Sequence, residues 1–238
     1  MRQPMSLSLP SDPELAEVAG RRSRAYWLLA RCFAEVPSAQ LFAELQQSPA
    51  LDPLIASDDP LAVESTALLS ALLAAANDET ATQDLAIEFT RLFGGISKSY
   101  GAAPPFESVA RDAAWGGDTV AAVLEAYADA GISPPLPEAA PPDHLSAELR
   151  FLAIACYHEG EAWTCGDLEL ASDWLKRERD FLDRHILPWV PDYCARLDGL
   201  AHTPLYRALL VLTPLACQND RQDINDMLDV VSSNPDDA

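Results

Sequence analysis

The sequence predicts an all-α fold, a single compact helical domain of about ten helices spanning residues 1–238. Three observations predict it. Leu and Ala dominate while Val and Ile are sparse. No segment alternates with the period of two that a half-buried strand needs. Pairs of a capping residue and a proline recur where helices should begin, and a proline at the first helical position loses no needed hydrogen bond.

The elements follow in order. The first helix starts near Pro13, behind Asp12, and carries Leu15, Val18, Tyr26, Leu29, Phe33 and Val36 at three- and four-residue steps or their multiples, the stripe of an amphipathic helix. Within it, Arg21-Arg22 before the apolar run from Ala25 to Ala30 has the look of a twin-arginine export signal. Arg31 ends that run too early, and Glu14 and Glu17 lie upstream, so the helical reading is preferred. Helices are then expected near 38–47, from Pro60 behind Asp59, near 79–93, 118–130, 144–159, 167–186 and 189–198, from Pro204 behind Thr203, and near 221–231. Gly131 and Gly199 read as C-terminal stops. Two segments break the rhythm, GGISKSYGAAPPFE over 94–107 and ISPPLPEAAPPD over 132–143, both too rich in proline or glycine for helix interiors. Connections this long in a helical domain tend to be functional or disordered. Residues 1–12 and 232–238 read as flexible ends.

Composition excludes several roles. With 37 acidic and 16 basic side chains the net charge is −21 over 238 residues. That balance repels nucleic-acid phosphates and anionic membrane surfaces and favours cationic partners. A content of 49% hydrophobic residues argues against disorder. Five cysteines, at 32, 156, 165, 194 and 217, form no C-x-x-C pair and read as reduced, mostly core thiols of a cytoplasmic protein. The best apolar run, Ala67 to Ala76, is about half the ~20 residues a membrane span needs.

Enzymatic signatures are weak. Gly94 to Ser99 resembles a scrambled phosphate loop, but Ile and Ser separate the glycines from Lys98 and no strand precedes them. His144, His158, His185 and His202 form no helical zinc pair, and there is no G-x-S-x-G elbow. Neither a metal nor a cofactor is implied. What remains is the pairing of the two irregular segments. One offers Tyr100, Pro104, Pro105, Phe106, Glu107 and Ser108, followed by Trp115. The other delivers Pro142, Asp143, His144 and Leu145 into a strong helix that carries Glu148. An aromatic, proline-lined groove flanked by carboxylates suits a peptide that is both apolar and cationic. Asp143 has a second reading, as the N-cap of the helix after it.

An ordered set of short motifs runs through the chain. It comprises Glu88-Phe89-Thr90-Arg91-Leu92-Phe93-Gly94, Pro104-Pro105-Phe106-Glu107-Ser108-Val109, Pro142-Asp143-His144-Leu145, Glu148-Leu149-x-Phe151-Leu152 and Phe181-x-x-x-His185-Ile186-Leu187-Pro188-Trp189. This set resembles the TorD/DmsD/NarJ family of molybdoenzyme-maturation chaperones from the first helix to near residue 215. The resemblance implies a TorD-like all-helical protein of the cytoplasm, monomer or homodimer, without catalytic activity. Its partner would be the apo form of a DMSO-reductase-family molybdopterin oxidoreductase and that enzyme's twin-arginine signal peptide, held back from export until the molybdenum cofactor is inserted. By the same resemblance Asp143 and His144 match the Pro-Asp-His turn of signal-peptide binding, and Pro105, Glu107, Ser108 and Val109 match the earlier motif. The chain departs from the family at Pro141, usually Glu, and at Ala110, often aromatic, for which Trp115 would substitute. An unperturbed His144 would titrate near neutral pH and tune binding. Two rivals stand beside this reading: an assembly adaptor for a non-exported reductase, and a metal-dependent helical hydrolase using Asp143, His144 and Glu148.

Overall fold

A computed structural model describes residues 12–36, 38–46, 59–78, 80–95, 102–112, 117–133 and 141–232. Ten α-helices follow one another: α1 (Asp12–Ala34), α2 (Ala39–Gln46), α3 (Pro60–Ala76), α4 (Ala81–Phe93), α5 (Glu107–Asp112), α6 (Asp118–Asp129), α7 (Leu145–Cys165), α8 (Leu168–Phe181), α9 (Val190–Asp198) and α10 (Pro204–Ser232). A π-turn, Leu182–Ile186, continues α8. The all-α expectation holds, with no strand among the described residues beyond one isolated bridge between Phe106 and His144. No helix among them is long and apolar enough to cross a membrane.

α7 is the central helix, with thirteen buried residues along 21. α1 lies antiparallel against it. Arg150 sits over the Trp27 ring, Ser23 Oγ donates to the Ala153 carbonyl at 2.7 Å, and Gly160 meets Ala19. A Cβ on Gly160 would approach the Ala19 Cβ to 3.4 Å, so small residues set the spacing of this pair. α8 also packs on α7, and α10 packs against α3, α8 and α9. The core is one contiguous cluster that includes Phe33, Leu68, Phe151, Trp163, Leu175, Tyr206 and Ile224.

Local chemistry explains most boundaries. Asp59 Oδ1 accepts from the Leu61 amide, as its position before Pro60 predicts. α7 runs past the expected end at 159 and stops at Gly166, whose φ of +71° only glycine adopts without strain. α10 is one helix and not two: Pro214 removes a single backbone donor, while Leu205, Leu209, Leu212, Cys217, Ile224 and Leu228 keep one face buried throughout. Its start is capped from α4, because the Glu88 carboxylate accepts from the amides of His202 and Thr203 (3.0 Å to the latter) and pairs with Arg91 at 3.0 Å. Burial alone would raise the Glu88 pKa, but these amides and Arg91 hold it below its ordinary value. Thr203 Oγ1 itself reaches the Tyr206 amide only at 3.5 Å. Four cysteines are buried and Cys165 is exposed.

Candidate functional site

The two proline-rich motifs meet. Leu145 donates its amide to the Pro105 carbonyl at 2.8 Å, and Glu107 donates its amide to the Asp143 carbonyl at 2.9 Å. Between these bonds Phe106 and His144 form the bridge, with their rings edge to face at 5.0 Å. Tyr127 of α6 donates its hydroxyl to the Pro142 carbonyl at 2.9 Å and stacks on Phe151, which packs on Phe181. Three helices and two loops therefore fix this clasp.

Asp143 is not the N-cap of α7. Its carboxylate, in a residue only 2% exposed, turns to the other segment and accepts from the Ser108 amide at 3.0 Å and the Ser108 hydroxyl at 2.6 Å. It thus caps α5, a six-residue helix that cannot stand alone by propensity. The cap of α7 is His144, whose Nδ1 accepts from the Ser146 amide at 3.1 Å. Burial lowers the His144 pKa from 6.5 to about 4, so the ring is neutral at neutral pH and the expected titration there does not occur.

Glu107 and Glu148 lie beneath the clasp, both 0% exposed. Glu107 Oε1 pairs with Arg111 at 2.5 Å, and Oε2 lies 3.1 Å from His185 Nδ1. Neither Glu148 oxygen has a hydrogen-bond partner of good geometry. Burial first, and the neighbouring Glu107 charge second, push the Glu148 pKa well above the carboxylate range. Asp143 is bonded to Ser108 and His144 to Ser146, and among the described residues Asp143, His144 and Glu148 do not bring three donor atoms together as the hydrolase rival needs. Leu145 is fully buried, Phe106 and Ser108 are buried, and Pro104 and Pro142 are half-buried. Tyr100 and Trp115 lie outside the described residues.

Two residues that sequence reasoning left out belong here, Arg111 and His185. His185 stood inside the Phe181–Trp189 motif but read as core; Arg111 carried no motif. Arg111 also donates to the Arg184 carbonyl at 3.0 Å. That carbonyl lacks a helical partner for a covalent reason: the residue four ahead is Pro188, which has no N–H. Arg111, Phe151, Phe181 and His185 line a groove of about 620 Å3 between α6 and α8, within the size range of small-ligand sites.

A second charged cluster lies elsewhere. Arg22 of α1, the residue of the false export signal, is inserted among Glu159, Glu178 and Asp220. Its Nη1 reaches Glu159 Oε2 at 2.6 Å; Nη2 and Nε bond Glu178 and Asp220. Tyr26 donates to Asp220 at 2.6 Å and Trp163 to Glu159 at 2.8 Å. Cys156, Glu159 and Glu178 bring three metal-type donor atoms within 4.8 Å of one another. The Arg22 guanidinium already sits on the two carboxylates and supplies the positive charge there.

Comparison with known proteins places the chain. It is 26% identical over 218 residues to the chaperone protein TorD of Vibrio cholerae serotype O1, covering 90% of this chain and 97% of that protein. Over 58 residues it is 44% identical to the selenate reductase assembly chaperone protein of Thauera selenatis, 24% of this chain and 29% of that one. Over 62 residues it is 42% identical to the chlorate reductase assembly chaperone protein of Ideonella dechloratans, 26% of this chain and 31% of that one. The family model for the nitrate reductase delta subunit matches residues 57–195, more than half of the chain, and the chain belongs to that family, the TorD/NarJ family its motifs resemble.

Proposed function

We propose that this protein is an assembly chaperone for a molybdopterin oxidoreductase. The observation that carries the reading is the chain-long similarity to a protein named as a chaperone, joined by shorter similarity to two reductase assembly chaperones. It acts in the cytoplasm without bond-breaking chemistry. It binds the twin-arginine signal peptide of the apo-enzyme of a DMSO-reductase-family client and delays export until the molybdenum cofactor is inserted.

The clasp supports this reading physically. A twin-arginine leader joins an arginine pair to an apolar stretch. Burying a few hundred Å2 of that stretch at roughly 25 cal/mol per Å2 gives several kcal/mol before ordering costs. A buried carboxylate fixes a guanidinium by charge-assisted hydrogen bonds. The surface charge of a −21 chain speeds and orients the encounter. The chaperone must also release its client, which suits micromolar affinity, about 8 kcal/mol. A second reading, an adaptor that holds the folded body of a non-exported reductase, is favoured by one finding, the nitrate reductase delta subunit match. Calorimetric titration with the twin-arginine leader peptide of a DMSO-reductase-family molybdoenzyme, and with the apo-enzyme body, separates them. Micromolar binding of the peptide supports the leader reading; binding of the apo-enzyme body alone supports the adaptor; binding of neither removes the chaperone assignment.

A further inference from the structure

We propose that Arg111 is an internal placeholder for a guanidinium group of the client. This inference rests on the leader-peptide reading above and adds how that site is kept closed. The pocket that holds Arg111 is a built guanidinium site. One wall is the Glu107 carboxylate, fully buried and 2.5 Å from Arg111 Nη1. The other is the Arg184 carbonyl, 3.0 Å from the same nitrogen and left without a helical donor by Pro188. A carboxylate and a carbonyl converging on one NH2 group use both of its hydrogens, and the delocalised guanidinium is the more weakly hydrated cation, so it loses less than an ammonium on entering this partly buried pocket.

Its present occupant enters from the groove and not from the core. The Arg111 side chain is 41% exposed and lines the groove between α6 and α8, together with Glu125, Asp129, Asp180 and Asp183. A side chain that reaches a buried acid from open solvent leaves, on swinging out, the channel it filled. The incoming arginine then takes the same two acceptors. Between the departure of one guanidinium and the arrival of the other, Glu107 keeps its contact with His185, 3.1 Å away. The cost is competition: the chain's own arginine, at high effective concentration four residues from Glu107, lowers the apparent affinity of the client.

The test compares wild type with Arg111→Ala and Arg111→Gln, the latter keeping a donor toward Glu107 should the former fold poorly. Each is titrated with the leader peptide and with a version carrying Lys-Lys in place of Arg-Arg. Removing the placeholder should tighten binding of the Arg-Arg peptide roughly five- to ten-fold and widen its preference over Lys-Lys. Methylguanidinium at millimolar concentration should raise the melting temperature of Arg111→Ala and not of wild type. Unchanged or weaker Arg-Arg binding by both variants, with wild type still binding, overturns the placeholder alone. Absence of binding by wild type and by both variants overturns the leader-peptide reading instead. In that case the methylguanidinium shift still decides whether the pocket accepts a free guanidinium.

Discussion

Arg22 and Arg111 each face buried carboxylates, yet Arg22 has a side-chain exposure of 11% and Arg111 of 41%. Arg22 reaches three acids on three other helices, and α1, α7, α8 and α10 are joined through it. Arg111 reaches one acid on its own short helix. The first cluster is a structural joint whose cation is mostly enclosed by the acids of three other helices. The second is neutralised from the surface, and its cation can leave while the helices stay packed. Both belong to an acidic chain, but net charge alone does not distinguish a joint from a site; the direction from which the cation arrives does.

The sharpest break of this comparison is to remove each cation. Arg22→Leu leaves three buried carboxyl groups without their shared guanidinium and should cost about 3–5 kcal/mol in urea unfolding. Arg111→Ala should cost less, roughly 1–2 kcal/mol, because water enters from the groove and His185 remains on Glu107. Equal losses would show that Arg111 is as structural as Arg22.

The next effect is smaller and depends on pH. Glu178 has its pKa raised from 4.5 to about 8, first by burial, against which Arg22 works, and then by Glu159 and Asp220. Glu159 is raised as well. A carboxyl that binds its proton more tightly folded than unfolded contributes stability in full below about pH 4.5. That contribution is lost as pH rises through about 8. Wild type should therefore lose melting temperature between pH 5 and 9. Glu178→Gln, which keeps the neutral shape, should flatten that slope. Parallel curves for the two proteins would mean that Glu178 is already ionised beside Arg22.

Much of this architecture was legible in sequence. Asp59-Pro60 marks the start of α3, Gly131 follows α6, and the stripe from Leu15 to Phe33 marks α1, since each depends on neighbours in the chain. α5 was not legible, because its cap, Asp143, is 35 residues away from Ser108. The Arg22 joint was hidden for the same reason: its acids stand at 159, 178 and 220. The clasp is an intermediate case. Its two motifs were visible, and their pairing was guessed from composition. The inward turn of Asp143, Glu107 and Glu148 came from tertiary contacts that no local pattern carries.

The smallest effect sharpens the clasp itself. Burial first, and then the neighbouring Glu107, drive the Glu148 pKa well upward and so favour its protonated form, while Glu107 is paired with the exposed Arg111 guanidinium. Glu148→Gln fixes this position as a neutral amide of the same size, the form that burial favours. Unfolding free energy at pH 7 should change by less than about 1 kcal/mol, and leader-peptide affinity should stay within a factor of two or so. Glu107→Gln removes the charge and should weaken an Arg-Arg peptide far more than a neutral one. Equal loss of affinity in both variants would mean that both carboxyls are ionised. The clasp would then be built to receive two guanidinium groups at once, and one internal arginine could not fill it.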